Sequence, residues 1–371
     1  MGGITNTRRL ALVAAGLAAA AYPFLTSPGK HFYGVLAIVY SLVALSLVVL
    51  TGWTGQISLG HAAFLGLGVY TGQRFLAGGV PFPLVLLAVA AVSATVSLVL
   101  AVPSLRLKGV YLAIVTLAFG AACERYIFTF SFLRGDGAET VARPSFLGIA
   151  TTSDRNLYLV ALAVLALALV LVVNLRRSDM GRVLLAIRDA EDAAVALGVN
   201  IARYKVAAFA LSAALAGMAG VFYAVLFQAT PAPSQFGVLA SLFLLALPVV
   251  GGLGHPAGAV VGGTLFAFAQ PVTNAFGVRL FLVTGLLVML VVLSRSDGIS
   301  GMARRLAQSF ADAVHGEAAA RYGSFVPDAD TEADGPSATG PRPRVTLDSP
   351  LPAGARLRLR VGSAATTGGA L

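Results

Sequence analysis

Charge is what this sequence has least of. Asp, Glu, Lys and Arg make up only 11% of its 371 residues, where a soluble domain carries about a quarter. So few charges cannot clothe the surface of a water-soluble globule of this size, which excludes an ordinary cytosolic enzyme for most of the chain. Cysteine is nearly absent: Cys123, the one there is, lies in an apolar run, allows no intramolecular disulfide and reads as buried packing. A disulfide scaffold is therefore excluded. Histidines are few, and His31, His61, His255 and His315 show no metal-ligand spacing. The sequence has no G-x-x-x-x-G-K-[ST] phosphate loop, no nucleophile elbow and no catalytic pair of carboxylates within its apolar runs. It therefore reads as a non-enzyme with no catalytic residues, no metal and no cofactor of its own.

What is present is apolar. Hydrophobic residues reach 57% and mean hydropathy is +0.85. Disorder is a poor fit for most of such a chain, and an all-α polytopic membrane protein remains. A span needs about 20 largely apolar residues. Candidate spans fall at 10–26, 32–51, 56–75, 82–103, 110–130, 157–175, 205–229, 237–253, 257–276 and 279–294, about ten in all. The third and ninth are rich in glycine, which leaves a broken or re-entrant course open for both. Arg8 and Arg9 before the run Leu10 to Leu25 resemble a signal peptide. With so many later spans, a first membrane helix is the better reading.

The net charge is +10, which in a soluble protein would raise nucleic-acid binding. Here the basic residues sit mostly in short loops between apolar runs, so orientation is the better use for them and no nucleic-acid partner is expected. With the N-terminus inside, thirteen Lys and Arg fall on the cytoplasmic side and six outside. That bias predicts N-in and C-in topology. The domain reading is a transmembrane domain at 1–294 with a cytoplasmic loop at 176–205, an amphipathic segment at 295–323 and a disordered tail at 324–371. Met302, Leu306, Phe310 and Val314 give the amphipathic segment its four-residue apolar spacing. Arg356, Arg358 and Arg360 give the tail a means of touching anionic lipid.

Two constellations stand out. The loop SDMGRVLLAIRDAEDAAVALGVNIARYK, Ser178 to Lys205, holds a helix-like stretch from Arg182 to Leu197. Gly198 would stop that helix and Asn200 would cap the next. It suits a handle for a soluble partner, and equally an ordinary helical linker. The second constellation is Gly52 to Gly72, where six glycines interrupt an apolar run and Gln56, Ser58 and His61 add polar groups at membrane depth. Irregular backbone there must be buried in protein or face a cavity. Tight span packing and a broken element beside a transport path both fit. Leu59-Gly60-His61-Ala62-Ala63 is echoed by Leu253-Gly254-His255-Pro256-Ala257, as in a parallel repeat of two halves. Glu124 and Arg125 lie in the outer third of the fifth span, where each needs a partner or the interface.

Asp192-Ala193-Ala194, three residues and Gly198 resemble the E-A-A-x-x-x-G signature of ABC importer permeases, with Asp in place of Glu. The wider string Gly181 to Ala224, with TGWTGQISLGHAAFLGLGVYTG, LKGVYLAIVTLAFG and VVGGLGHPAGAVVGG in order, resembles the permeases of branched-chain amino-acid ABC importers, and among them the larger of the two permease types. The likeness covers roughly residues 30 to 300. The loop Arg134 to Glu139 departs from the family's Thr-Gly-Gly-type turn, and the segment after Arg295 lies outside the pattern.

The resemblance implies a permease subunit that forms the translocation path of an ATP-driven importer in the bacterial cytoplasmic (inner) membrane. Its implied partners are a second permease, two cytoplasmic ATPases that use the ATP, an extracytoplasmic solute-binding protein and membrane lipid. Carried over residue by residue, the coupling element is Arg188, Glu191, Asp192, Ala193, Ala194 and Gly198. The path candidates are Gly55, Gln56, Ser58, Gly60, His61, Gly251, Gly252 and Gly254. Urea or another short-chain amide is the nearest rival cargo. An ion-coupled secondary transporter is the rival mechanism, for which only Glu124 offers an ionisable site within a span.

Overall fold

The computed structural model describes residues 16–107, 109–134, 143–146, 149–150, 153–275 and the single positions 285, 286, 289 and 301. All belong to the first, Met1–Ala313, of two compact units. The tenth expected span, the amphipathic segment beyond it and the tail lie outside the described residues, apart from those isolated positions.

Among the described residues the fold is all-α apart from one two-residue ladder. In chain order the helices are α1 (Gly16–Leu25), α2 (Pro28–Leu47), α3 (His61–Ala77), α4 (Phe82–Ser104), α5 (Val110–Arg125), α6 (Ser131–Arg134), α7 (Asp154–Arg177), α8 (Asp179–Asp189), α9 (Glu191–Ala196), α10 (Ile201–Phe227), α11 (Val238–Gly251) and α12 (Pro256–Ala275). The ladder pairs β1 (Ser145–Phe146) antiparallel with β2 (Ile149–Ala150). Among the described residues, six helical segments are long and apolar enough to cross a membrane. The structure does not carry the expectation of ten. The first and third spans appear as the shorter Gly16–Leu25 and the 17-residue α3, and α12 is not among the six. Gly, Thr and Gln dilute the apolar character of α3 and α12, and α3 starts late because the chain before it is irregular.

Local chemistry sets the helix ends. Ser153 Oγ accepts the Asn156 backbone N–H, Asp154 follows in the first turn of α7, and Arg176 and Arg177 close its last turn. This is the charge order that the helix dipole favours. α2 starts on Pro28 and ends in a π-helical turn, Val48–Gly52. Such turns mark places where a regular helix gives way.

α2 forms the centre of the bundle. It is buried over almost its whole length and packs on α7, α10, α11 and α12. α10 carries the other half of the core, against α3 and α4. Hydrophobic burial between helices gains little in lipid, so close backbone approach supplies the packing. A Cβ on Gly68 would strike the Gly217 carbonyl, one on Gly220 the Leu65 carbonyl, and one on Gly263 the Ser41 backbone. These glycines let α3 lie on α10 and α12 on α2 at backbone contact. The exposed faces of α4, α5 and α7 carry large apolar side chains such as Leu87, Tyr111 and Leu167, as expected of helices that face lipid or another subunit.

Arg125 is exposed at the end of α5. The half-buried Glu124 lies against Gly237, the residue that begins α11, where a Cβ would collide with its carboxylate.

Candidate functional site

The loop between α7 and α10 is two helices, not one. The expected continuous stretch from Arg182 to Leu197 breaks at Ala190, whose φ of −154° and ψ of 76° leave the helical region. Two anchors explain the break. At one end Gly181 sits so close to Leu175 and Arg176 that α8 folds straight back on the end of α7. At the other, Glu191 Oε1 accepts from Lys205 Nζ at 2.8 Å, which ties α9 to the start of α10. A straight helix could not satisfy both. The Lys205 side chain is only 3% exposed and Glu191 22%, so this pair holds through low dielectric rather than as a loose surface contact.

α8 buries Gly181, Leu184 and Ile187, while α9 buries Ala194 alone. Asp192 and Ala193 are exposed, with Val195 at 57% and Leu197 at 84%. The end of α9 is rigid. Gly198 N–H donates to Val195 O at 2.9 Å and Val199 N–H to Ala194 O at 3.1 Å, the paired bonds of a Schellman cap. Gly198 has φ of +80°, which a side chain would strain. Asn200 then caps α10 by accepting the Arg203 N–H at 3.3 Å. The segment thus presents a short apolar tip on a fixed base.

The second part of the site is the chain from Trp53 to Gly60. Gly55 has φ of +70°, which turns the backbone into an extended run. Gly55 and Ile57 are exposed, while Gln56 and Ser58 are buried. That alternation is the two-residue period of extended chain. Polar atoms without partners gather here: Trp53 Nε1, both side-chain atoms of Gln56, Ser58 Oγ and His61 Nδ1. His61 Nε2 does have a partner, Ser46 Oγ on α2 at 2.7 Å. Two bonds from other helices hold the segment at its far end. Leu59 N–H donates to Thr116 Oγ1 of α5 at 2.9 Å, and Ala62 N–H to Ser241 Oγ of α11 at 3.1 Å. Gly60 approaches α5 so closely that a Cβ would meet the Thr116 carbonyl. Each orphaned buried polar atom costs about 1–3 kcal/mol, so this run asks for water, a ligand or a partner.

The third part is the chain between α11 and α12. Gly252 takes φ of 119°, and Gly251, Gly258 and Gly262 pack backbone against backbone, so that a Cβ on any of them would strike a carbonyl. Gly254 has open space where its Cβ would be.

The structure brings these parts together at one end of the bundle. Arg188 Nη1 of α8 donates to Gly52 O at 2.8 Å, and its Nε donates to Asp189 at 2.8 Å. Its Cγ lies 3.1 Å from where a Gly55 Cβ would stand. Arg176 Nη1, at the end of α7, donates to Gly254 O. Gly52 in turn lies against the Leu253 carbonyl. Two arginines from the loop therefore hold carbonyls at two glycine breaks that touch each other. Sequence reasoning found Arg188 and the breaks. It missed Arg176 and Lys205, which served only as orientation charges, and Trp53 and Ser46. No spacing rule links residues 136 positions apart.

A family model described as the permease component of a branched-chain amino acid transport system matches residues 32–293. The chain is 31% identical to a high-affinity branched-chain amino acid transport system permease protein, LivM, of Salmonella typhimurium, over 81% of this chain and 77% of that one. It is 26% identical to the LivH permease protein of Escherichia coli, over 75% of this chain and 96% of LivH. It is also 26% identical to a probable LivH permease of Methanocaldococcus jannaschii, over 79% and 87% of the two chains. No solved structure matches the chain.

Proposed function

Because the chain belongs to the family of branched-chain amino acid transport permeases, we propose that it is the membrane-spanning subunit of an ATP-driven importer for leucine, isoleucine, valine or a related amino acid. It sits in the inner membrane with ten spans and both ends inside, which places the loop of α8 and α9 in the cytoplasm. A second permease completes the path, two cytoplasmic ATPases hydrolyse the ATP, and an extracytoplasmic binding protein delivers the cargo.

The observation that carries this reading is the bond from Arg188 to Gly52 O. α9 docks its exposed tip, Ala193, Val195 and Leu197, in a groove on the ATPase, with Asp192 setting the register. The Schellman cap and the Glu191–Lys205 pair make α8, α9 and the start of α10 move as one piece. ATP-driven displacement of that piece pulls Gly52 through Arg188 and Gly254 through Arg176. Both breaks shift together, and the buried polar run from Gln56 to His61 changes partners between protein and the path. Gly55, Gln56, Ser58, Gly60 and His61 are the path residues on one side of the contact, and Gly251, Gly252 and Gly254 on the other.

The test is uptake of labelled leucine and urea in cells lacking this chain and supplied with wild type or Asp192→Lys at equal membrane levels. Leucine uptake restored by wild type alone supports cargo and coupling. Urea uptake alone keeps the importer and changes the cargo. Equal uptake by both proteins, persisting after ATP depletion with the ion gradient held, makes the chain an ion-coupled transporter.

A further inference from the structure

At the end of α7 far from α8, about 36 Å away at 1.5 Å per residue, the structure has a polar pocket that the transport reading does not use. Its volume is about 840 Å³ and it lies among the outer ends of α1, α2, α7 and α10. Among the described residues two arginines face one carboxylate there. Arg143 is paired with Asp154 at 2.5 Å, its side chain 14% exposed. Arg155 is exposed and lies 3.9 Å over the ring of Phe24. His31 also lines the pocket; it is 6% exposed and its Nε2 has no partner. Among the described lining residues the arginines outnumber the carboxylate by one: an ion pair, an exposed guanidinium stacked on Phe24 and a buried imidazole nitrogen.

Deeper along the same helices lies a second cavity of about 210 Å³. Its wall is almost wholly apolar and comes from α1, α2, α7 and α12. On α2 the lining passes from His31 in the pocket to Gly34 and Ala37 in the slot, and on α7 from Asn156 to Tyr158 and Leu162. The slot therefore lies next inward along the same two helices. Tyr22 and Tyr158 stand at the junction with their rings 5.5 Å apart and packed on Gly34. Their hydroxyls donate to Lys30 O and Ala19 O, each at 2.9 Å. Tyr22, with its ring in the apolar wall and its hydroxyl at the outer end of α2, sits as a tyrosine does at the depth where headgroup meets acyl chain.

From the cationic pocket stacked on the apolar slot we infer that this face binds one anionic glycerophospholipid, its phosphate at Arg155 and His31 and an acyl chain between α2 and α7. Guanidinium fits phosphate bidentately, and a second acidic headgroup oxygen meets Arg143 while Asp154 holds that arginine in place. A zwitterionic lipid brings a trimethylammonium that the two arginines repel. A soluble anion would leave the slot unfilled. The inference needs only that these helices lie in a bilayer, so it stands or falls apart from the importer reading.

Native mass spectrometry of the full-length chain in mild detergent reads the bound lipid directly, after exchange into phosphatidylglycerol or phosphatidylcholine micelles. Wild type is expected to retain one phosphatidylglycerol. Arg155→Gln, on an exposed side chain, is expected to lower retention about fivefold. Leu162→Trp, which fills the slot and leaves the pocket intact, lowers it similarly. Arg74→Gln, an exposed arginine near Phe132 at another outer helix end, leaves it unchanged. Equal retention by wild type and Arg155→Gln overturns the inference. Displacement by glycerol phosphate, with no effect of Leu162→Trp, makes this a soluble-anion site and also overturns it. Unchanged lipid with lost capture of the solute-binding protein in Arg155→Gln makes it a protein-docking face, with the same consequence.

Discussion

The two glycine-rich breaks are spelled with nearly the same letters and are built in opposite ways. The one between α11 and α12 closes on itself: Gly251, Gly258 and Gly262 bring backbone onto backbone, and Gly252 N–H is bonded to Pro248 O at 2.7 Å. The one between α2 and α3 stays open, with Trp53, Gln56, Ser58 and His61 holding buried polar atoms that have no partner. Each is gripped by an arginine from the loop side, Arg176 in the first case and Arg188 in the second. A glycine break alone therefore says little about function. What separates these two breaks is whether their buried polar groups have partners.

The sharpest way to break the comparison is to put bulk into the closed break. Gly258→Val sets two methyls against the Gly251 and Gly252 carbonyls. It should cost about 3 kcal/mol or more in stability, at the top of the overpacking range, and show as lost monodisperse protein in detergent. Arg188→Met comes next. It removes a charged hydrogen bond worth about 1.5–3 kcal/mol, and ATP-driven uptake should fall about tenfold while folded protein survives. If uptake per folded molecule is unchanged, the link from loop to open break is wrong.

Gln56→Leu separates the two breaks most cleanly. Replacing an unpartnered buried amide with an apolar group should leave thermal stability within about 1 kcal/mol or raise it, whereas uptake drops. A stability loss near 3 kcal/mol would instead mean that the amide is bonded in the membrane. Gly55→Ala should cost about 1 kcal/mol for its positive φ, measured by thermal melting, with uptake weakened through Arg188. Gly254→Ala meets no atom and should stay within about 0.5 kcal/mol in the same melt.

Much of the fold was legible because its cause is local. Spans such as 82–103 and 157–175 show in the sequence as apolar length, and the structure places α4 and α7 there within three residues at each end. The stop at Gly198 and the cap at Asn200 were legible because both depend on neighbours within a turn. The break at Ala190 was not, because alanine favours helix and the break comes from anchors to other elements, Gly181 on the end of α7 and Glu191 on Lys205 of α10. The late start of α3 was half legible: the glycines announced irregular chain, but not that Gly55 would set Gln56 and Ser58 inward.

The sequence by itself determined that this is a helical membrane protein, because bilayer thickness and charge exclusion act on composition over short windows; its motifs, by resemblance, added the permease family. It also determined where the helices could not continue, because glycine and charge punctuate locally. Only the tertiary structure decided which break is closed and which carries unsatisfied groups. Only it set Arg188 on Gly52 and stacked a cationic pocket on an apolar slot. Those depend on backbone approach between segments more than a hundred residues apart, and no local rule encodes such distances.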